Sequence, residues 1–232
     1  EQIAAKMDIH IVICIDEFQQ IGEWADSLTI QKRMRSVWQH QQHTSYCLFG
    51  SKKHLLANLF QNRRMPFYHF GDTIFLKPIS TNDWIPFICG KFAEKGKKIS
   101  EELVGKICTT VASHSSYVQQ LAWNIMVNTE TEVTDEIFQQ SISELLAQCS
   151  PLFIQQIQGL TTYQMNLIRC LCQGVRKDFT SKDVLETYQL GSKSNISRLK
   201  KTLVEKEIIE EEGDTITLAD PIFELWFKRE YM

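Results

Sequence analysis

The densest concentration of residues able to do chemistry follows a short apolar run. Ile9-His10-Ile11-Val12-Ile13-Cys14-Ile15 leads directly into Asp16 and Glu17. Such a run predicts a strand buried on both faces. The acids then fall at its carboxyl end, where open parallel α/β sheets place their ligand crevice. Adjacent carboxylates there suit metal-assisted and water-activating chemistry. The plain alternative is a buried strand that ends in a solvated acidic turn. A second run, Ser45-Tyr46-Cys47-Leu48-Phe49-Gly50, predicts another buried strand and ends at Ser51. Ser51 reads as the N-cap of a helix near 52–61, or as a polar sensor of a terminal phosphate at the edge that carries Asp16; the two roles are compatible. Arg63 and Arg64 lie in a loop over 62–72, ahead of a third predicted strand at 73–79. Guanidinium groups so near the ligand edge could reach a phosphate in their own or a neighbouring subunit; the alternative is a solvated surface pair.

The elements that must position these residues follow from periodicity. A helix near 28–43 turns Leu28, Met34, Val37 and Trp38 inward, and Leu55, Leu56, Leu59 and Phe60 do the same over 52–61. From Ser80 the pattern is wholly helical. Ser80, Ser100 and Thr134 each precede acidic first turns, Ser113-His114-Ser115-Ser116 breaks the run, and Pro151 predicts the start of a further short helix. Thr161, Thr180-Ser181 and Ser192 then cap three helices, and Gly213-Asp214 joins two short β-rich runs at 208–211 and 215–218. Three helices followed by a hairpin is the order of a winged helix-turn-helix. Its recognition helix, 193–203, buries Ile196, Leu199 and Leu203 and turns Ser194, Ser197, Arg198 and Lys201 outward, with Lys193 at its start. These residues suit phosphate contacts and groove entry on DNA. The alternative is a solvated face on a domain that packs within its own protein, and Glu205, Glu207, Glu210, Glu211 and Glu212 beside it would repel a phosphate backbone.

Composition bounds the rest. The chain has 232 residues, 43% hydrophobic and 23% charged, with net charge −3, so any nucleic-acid or membrane surface must be local. The seven cysteines are scattered, and the closest pair, Cys170 and Cys172, lacks metal-knuckle spacing. They read as reduced core residues of a cytoplasmic protein. No stretch is apolar enough to span a bilayer. A Gly-x-x-x-x-Gly-Lys-Ser/Thr loop is absent, so either the chain lacks a preceding part or it binds no nucleotide.

In order and spacing the whole chain resembles an archaeal-type ATPase of the AAA+-related STAND class of P-loop ATPases. Ile11 to Phe18 resembles its Walker B segment, Phe49-Gly50-Ser51 its sensor strand, and Phe75-Leu76-Lys77-Pro78-Ile79 its fifth strand. The most specific string is Ala219-Asp220-Pro221-Ile222-Phe223-Glu224-Leu225-Trp226-Phe227, which resembles the stretch after that family's wing. The resemblance implies the C-terminal part of a parallel P-loop ATPase α/β domain at 1–79, a helical lid at 80–158 and a winged helix at 159–232, mostly helical overall. It implies that Asp16 helps hold Mg²⁺ through its water shell and that Glu17 orients or deprotonates the attacking water. The lid's Gly-His-Pro-like turn, which touches nucleotide in that family, corresponds here to Ser113-His114-Ser115-Ser116 and makes His114 the matching residue; a helix-breaking surface histidine is the alternative. Strands near 10–15 and 45–50 should pair, with 73–78 left apart from them. ATP and Mg²⁺ are expected in the parent protein and neither on this chain alone; self-association is a further expectation. Two functions compete: a nucleotide-dependent switch, inactive as this piece, and a winged-helix module that binds DNA or protein without ATPase activity.

Overall fold

The computed structural model describes residues 1–232, apart from the side chains of Lys53 and His54. It divides into two compact units, Glu1–Leu76 and Lys77–Met232.

The first unit runs α1 (Gln2–Met7), β1 (Ile11–Ile15), a 3-10 helix (Phe18–Glu23), α2 (Ser27–Trp38), β2 (Thr44–Leu48) and α3 (Lys53–Gln61). β1 and β2 pair in parallel, in register from Ile11 opposite Thr44 to Ile15 opposite Leu48. Parallel neighbours need a crossover, which the 3-10 helix and α2 supply. The core is aromatic. Phe18 and Phe67 are buried and meet edge-to-face at 5.4 Å, while Trp38 stacks on Tyr46 at 3.9 Å. Ile15, Leu48, Met34, Leu56 and Phe60 pack around them. The Glu1 carboxylate accepts the backbone N–H of Gln42 at 2.8 Å and the Thr44 hydroxyl at 2.9 Å. Those bonds, the Gln42 N–H first, hold its pKa down at about 2.

Three expectations fail in this unit for related reasons. The sheet is not buried on both faces: the core gathers on the side of Ile15, Tyr46 and Leu48, and Val12 on β1 is left 61% exposed. Cys14 and Cys47, opposite one another in register, are exposed rather than core residues. The 73–79 run forms no strand, because a strand exists only by pairing its backbone groups and none lies beside it; Ile74 and Leu76 are 81% and 86% exposed. α2 is also shorter than expected. It buries Gln31 and turns Ile30, Met34 and Trp38 to the core at i, i+4, i+8, so Leu28 and Val37 point outward.

The second unit is helical up to its wing. α4 (Thr81–Glu94), α5 (Glu101–Thr110), α6 (Ser115–Asn128) and α7 (Asp135–Ile157) form a bundle. Ser80, Ser100 and Thr134 cap three of them through their hydroxyls. Pro151 starts no new helix but rides inside α7, because Leu145, Leu146 and Phe153 bury on one core either side of it. Then come α8 (Thr162–Cys172), α9 (Lys182–Thr187), α10 (Lys193–Glu205), β3 (Ile209–Glu212), β4 (Thr215–Leu218) and α11 (Pro221–Tyr231). Thr161 and Gln164 close a capping box on α8, whereas Ser192 makes no cap bond to α10. β3 and β4 pair antiparallel, and the Arg176 carbonyl accepts the Ile216 N–H at 2.8 Å to extend the wing. Gly213 turns the hairpin with φ 61.

Bundle and winged helix share one core, joined by α11. Asp220 caps α11 by accepting the N–H groups of Ile222 and Phe223 at 2.7 and 3.0 Å, and its other oxygen accepts the Tyr117 hydroxyl at 2.5 Å. The Trp226 indole N–H donates to Ser150 Oγ at 3.0 Å. Phe153 and Phe223 meet edge-on at 5.4 Å between them. Burial, and then the bond to Asp220, raise the Tyr117 pKa well above the usual tyrosine range. Burial likewise pushes the Cys170 and Cys172 thiols up to about 12. Asp220→Ala removes a cap and orphans a half-buried phenol, so urea unfolding should show a loss of about 2–4 kcal/mol. The folded-state pKa of Tyr117 is raised, so the stability its proton confers is complete below the unfolded value of about 10 and is lost as pH climbs above it. Removing Asp220 takes away part of that rise, so stability measured by circular dichroism should fall less steeply with pH above the unfolded value in Asp220→Ala than in the parent.

Candidate functional site

The site is built where β1 and β2 end together. Beyond the strands the ladder continues: Phe49 N–H donates to the Ile15 carbonyl at 3.1 Å, and Phe18 N–H to the Phe49 carbonyl at 3.0 Å. The turn after β1 is thereby laid against the turn after β2. Asp16 is exposed and its Oδ1 accepts the Glu17 N–H at 2.7 Å, while Glu17 adopts a left-handed conformation with φ 48. For a glutamate that geometry carries strain. It is held because Phe18 on the next residue is locked in the aromatic core.

The Glu17 carboxylate is gripped at one oxygen. Ser51 Oγ donates to Oε2 at 3.3 Å, and the Gln19 side-chain amide donates to the same atom. α3 starts two residues beyond Ser51, at Lys53, so Ser51 is not its N-cap and its hydroxyl serves the carboxylate instead. Gln19 is 2% exposed, and its Oε1 has no hydrogen-bond partner among the described residues. Gly50 makes room for it: a Cβ there would stand 1.9 Å from that oxygen.

A cleft of about 610 Å³ adjoins this corner. One wall is the open edge of β2 and the turn after it, including Thr44, Tyr46, Leu48, Gly50 and Ser51; the other is the 70–76 segment. Arg63 and Arg64 are exposed, and among the described residues neither guanidinium makes a hydrogen bond or ion pair. Their loop is anchored by Arg35, which donates to the Pro66 and Tyr68 carbonyls, the latter at 2.9 Å, and lies 5.7 Å from the centre of the Phe70 ring.

The other sequence candidates belong to the second unit. His114 is exposed at the start of α6; its carbonyl accepts the Val118 N–H at 2.9 Å, and its ring lies 4.8 Å from that of Tyr117. On α10, Ile196, Leu199 and Leu203 are buried, and Lys193, Ser194, Ser197, Arg198 and Lys201 are exposed. Arg198 donates to Asn195 at 3.3 Å and Lys201 lies 3.9 Å from Glu205. Glu210, Glu211 and Glu212 are exposed along β3. Sequence reasoning missed Gln19, Gly50 and Arg35. For the first two a signal existed: a glutamine between the apolar Phe18 and Ile21, and a glycine directly after a strand.

Residues 151–229 match the family described as a probable winged helix domain. Among solved structures the chain is similar to the Walker-type ATPase PABY2304 of Pyrococcus abyssi, with a TM-score of 0.74 and 15% identity over 98% of this chain. The chain shares the fold of that structure over the part it spans. It spans 65% of that structure's length. No curated protein matches it.

Arg35→Met keeps the aliphatic stem but removes two charged hydrogen bonds, so the first unit should lose about 1.5–3 kcal/mol in chemical denaturation followed by Trp fluorescence.

Proposed function

We propose that the chain is part of an ATP-hydrolysing, nucleotide-dependent switch of the STAND type, with its phosphate-binding loop supplied by a preceding segment. The observation that carries this reading is the meeting of Ser51 and Glu17 at 3.3 Å on the shared carboxyl edge of two parallel strands. That edge is where doubly wound sheets bind nucleotide. The cleft beside β2 supports it, because an unpaired strand edge facing an unpaired extended segment is what a sheet lacking an intervening strand leaves.

The carboxylate oxygens of Asp16 are hard donors of the kind that Mg²⁺ prefers, directly or through its waters. Bound Mg²⁺·ATP brings the phosphoanhydride to be cleaved and neutralises its charge. In this reading Glu17 would accept the hydrogen bond of the attacking water and orient it, Asp16 would order the water shell of Mg²⁺, and Ser51 would turn its one hydroxyl proton from Glu17 to the terminal phosphate when nucleotide binds. Arg63 and Arg64, exposed in the same unit, are the guanidinium groups assigned to a phosphate, and His114 is the residue that matches the family's lid turn. Without the N–H groups and Lys of a phosphate loop, the chain alone holds a triphosphate weakly, because its adjacent acids repel it. Titration with ATP·Mg²⁺ and a phosphate-release assay should therefore find neither tight binding nor turnover for residues 1–232. The longer protein should do both. In it, Glu17→Gln should keep binding and slow hydrolysis by about 10²–10⁴-fold, the range for loss of a general base, and Asp16→Asn should impair the metal-dependent steps. Micromolar binding by the short chain would overturn this assignment.

A second reading, contact with DNA through α10, is favoured by the exposed stripe of Ser194, Ser197, Arg198 and Lys201 with Lys193. The acidic β3 opposes it. If α10 meets phosphate, Arg198→Ala and Lys201→Ala should weaken binding and each reduce the slope of log affinity against log salt by about 1 in an anisotropy titration. No binding by the parent chain at low salt would remove it.

A further inference from the structure

We propose that Gln19 is a positioning residue: it fixes the rotamer of Glu17 through their hydrogen bond, and Gly50 exists to admit its amide. The inference rests on the reading of Glu17 as the group that orients water. The geometry behind it is specific. Gln19 is 2% exposed, so placing its amide there carries a desolvation cost. Its Nε2 donates to Glu17 Oε2, and its Oε1 is buried with no partner among the described residues. A side chain retained at that cost, with half of its hydrogen-bonding capacity unmet, is poorly explained by packing alone; Leu or Met would fill the same space.

Two surroundings leave the amide little freedom. The 3-10 helix tethers Gln19 between buried Phe18 and Ile21. On the far side Gly50 lies so close that an added Cβ would stand 1.9 Å from Oε1 and 2.9 Å from Cδ of Gln19. Gln19 is thus wedged between the backbone after β2 and the carboxylate after β1. With Ser51 donating to the same Oε2, Glu17 Oε1 is the carboxylate oxygen left to receive a water. Gly50 and Ser51 line the cleft, and Gln19 Oε1 stays buried behind Gly50.

The test uses the longer protein for turnover and residues 1–232 for structure. Gln19→Met keeps the bulk and removes the donor. It should lower kcat by up to about 10²-fold, the scale for mispositioning a reacting group, with KM and nucleotide affinity unchanged. In a Glu17→Gln background the same change should cost nothing further, since there is no carboxylate left to aim. Gly50→Ala should lower both Tm and kcat, and Gly50→Ala with Gln19→Ala should recover Tm without recovering kcat. On residues 1–232, the Gln19 side-chain N–H resonances should exchange slowly with solvent and should exchange faster in Glu17→Ala.

The outcomes separate cleanly. If Glu17→Gln itself leaves hydrolysis intact, the reading of the site fails. If Glu17→Gln abolishes turnover while Gln19→Met turns over at the parent rate, the positioning role fails and the site stands. A Gln19 amide that exchanges freely and ignores Glu17→Ala overturns the proposal without any assay of activity, even if the variants of the longer protein do not fold.

Discussion

Parallel pairing of β1 with β2 is the constraint on which the candidate site depends. Register alone brings Ile15 opposite Leu48, so the turns that follow both strands emerge at one edge. Neither Asp16-Glu17 nor Gly50-Ser51 is a site by itself. The ladder bonds between Phe49, Ile15 and Phe18 press the turns together until a carboxylate, a hydroxyl and an amide share one oxygen. What keeps the pairing in place is the aromatic packing on a single face, where Phe18 lies directly after the glutamate and Trp38 covers Tyr46.

The second unit is organised by a different economy of contacts. Asp220 serves as a helix cap on one side and a phenol acceptor on the other, so the start of α11 and the first turn of α6 are fixed by one carboxylate. Ser150 and Trp226 add a second tie further along α7. A winged helix anchored in this way is an extension of the bundle, and its wing and α10 are carried wherever the bundle goes. His114 lies at the same end of α6, three residues before Tyr117, with its ring against that tyrosine. Asp220 and Pro221, which open the most specific string of the sequence after Ala219, are also where the mechanical joint lies: an acid that caps and a proline that opens the helix.

How much was legible in the sequence differs between the units. Helix caps at Ser80, Ser100, Thr134, Thr161 and Ser181, and the buried stripe of α10, are local signals, and local physics decides them. The acid pair after β1 and the serine after β2 were legible as candidates, but their contact was not, because it depends on pairing across the chain. Three readings went astray where context overrides composition. The 73–79 run has every mark of a strand yet has nothing to pair with. The run 9–15 is apolar enough for burial on two faces, but only one is covered. Pro151 signals a helix start, and tertiary packing carries α7 straight through it. Gln19 escaped notice because a polar residue in a short connection looks solvated until the apolar residues near it, Phe18 and Ile21, are seen to be buried with it.

The open face of the sheet gives the molecule an uneven thiol chemistry. Cys170 and Cys172 are held protonated by burial, up to about 12, and a protonated thiol is a poor nucleophile. Cys14 and Cys47 sit side by side on adjacent strands with their sulfur atoms toward solvent. An alkylating reagent therefore meets the sheet before it meets the helical core. Any segment that settles over that face would silence the reaction, so the two cysteines form a built-in footprint of whether the sheet is covered.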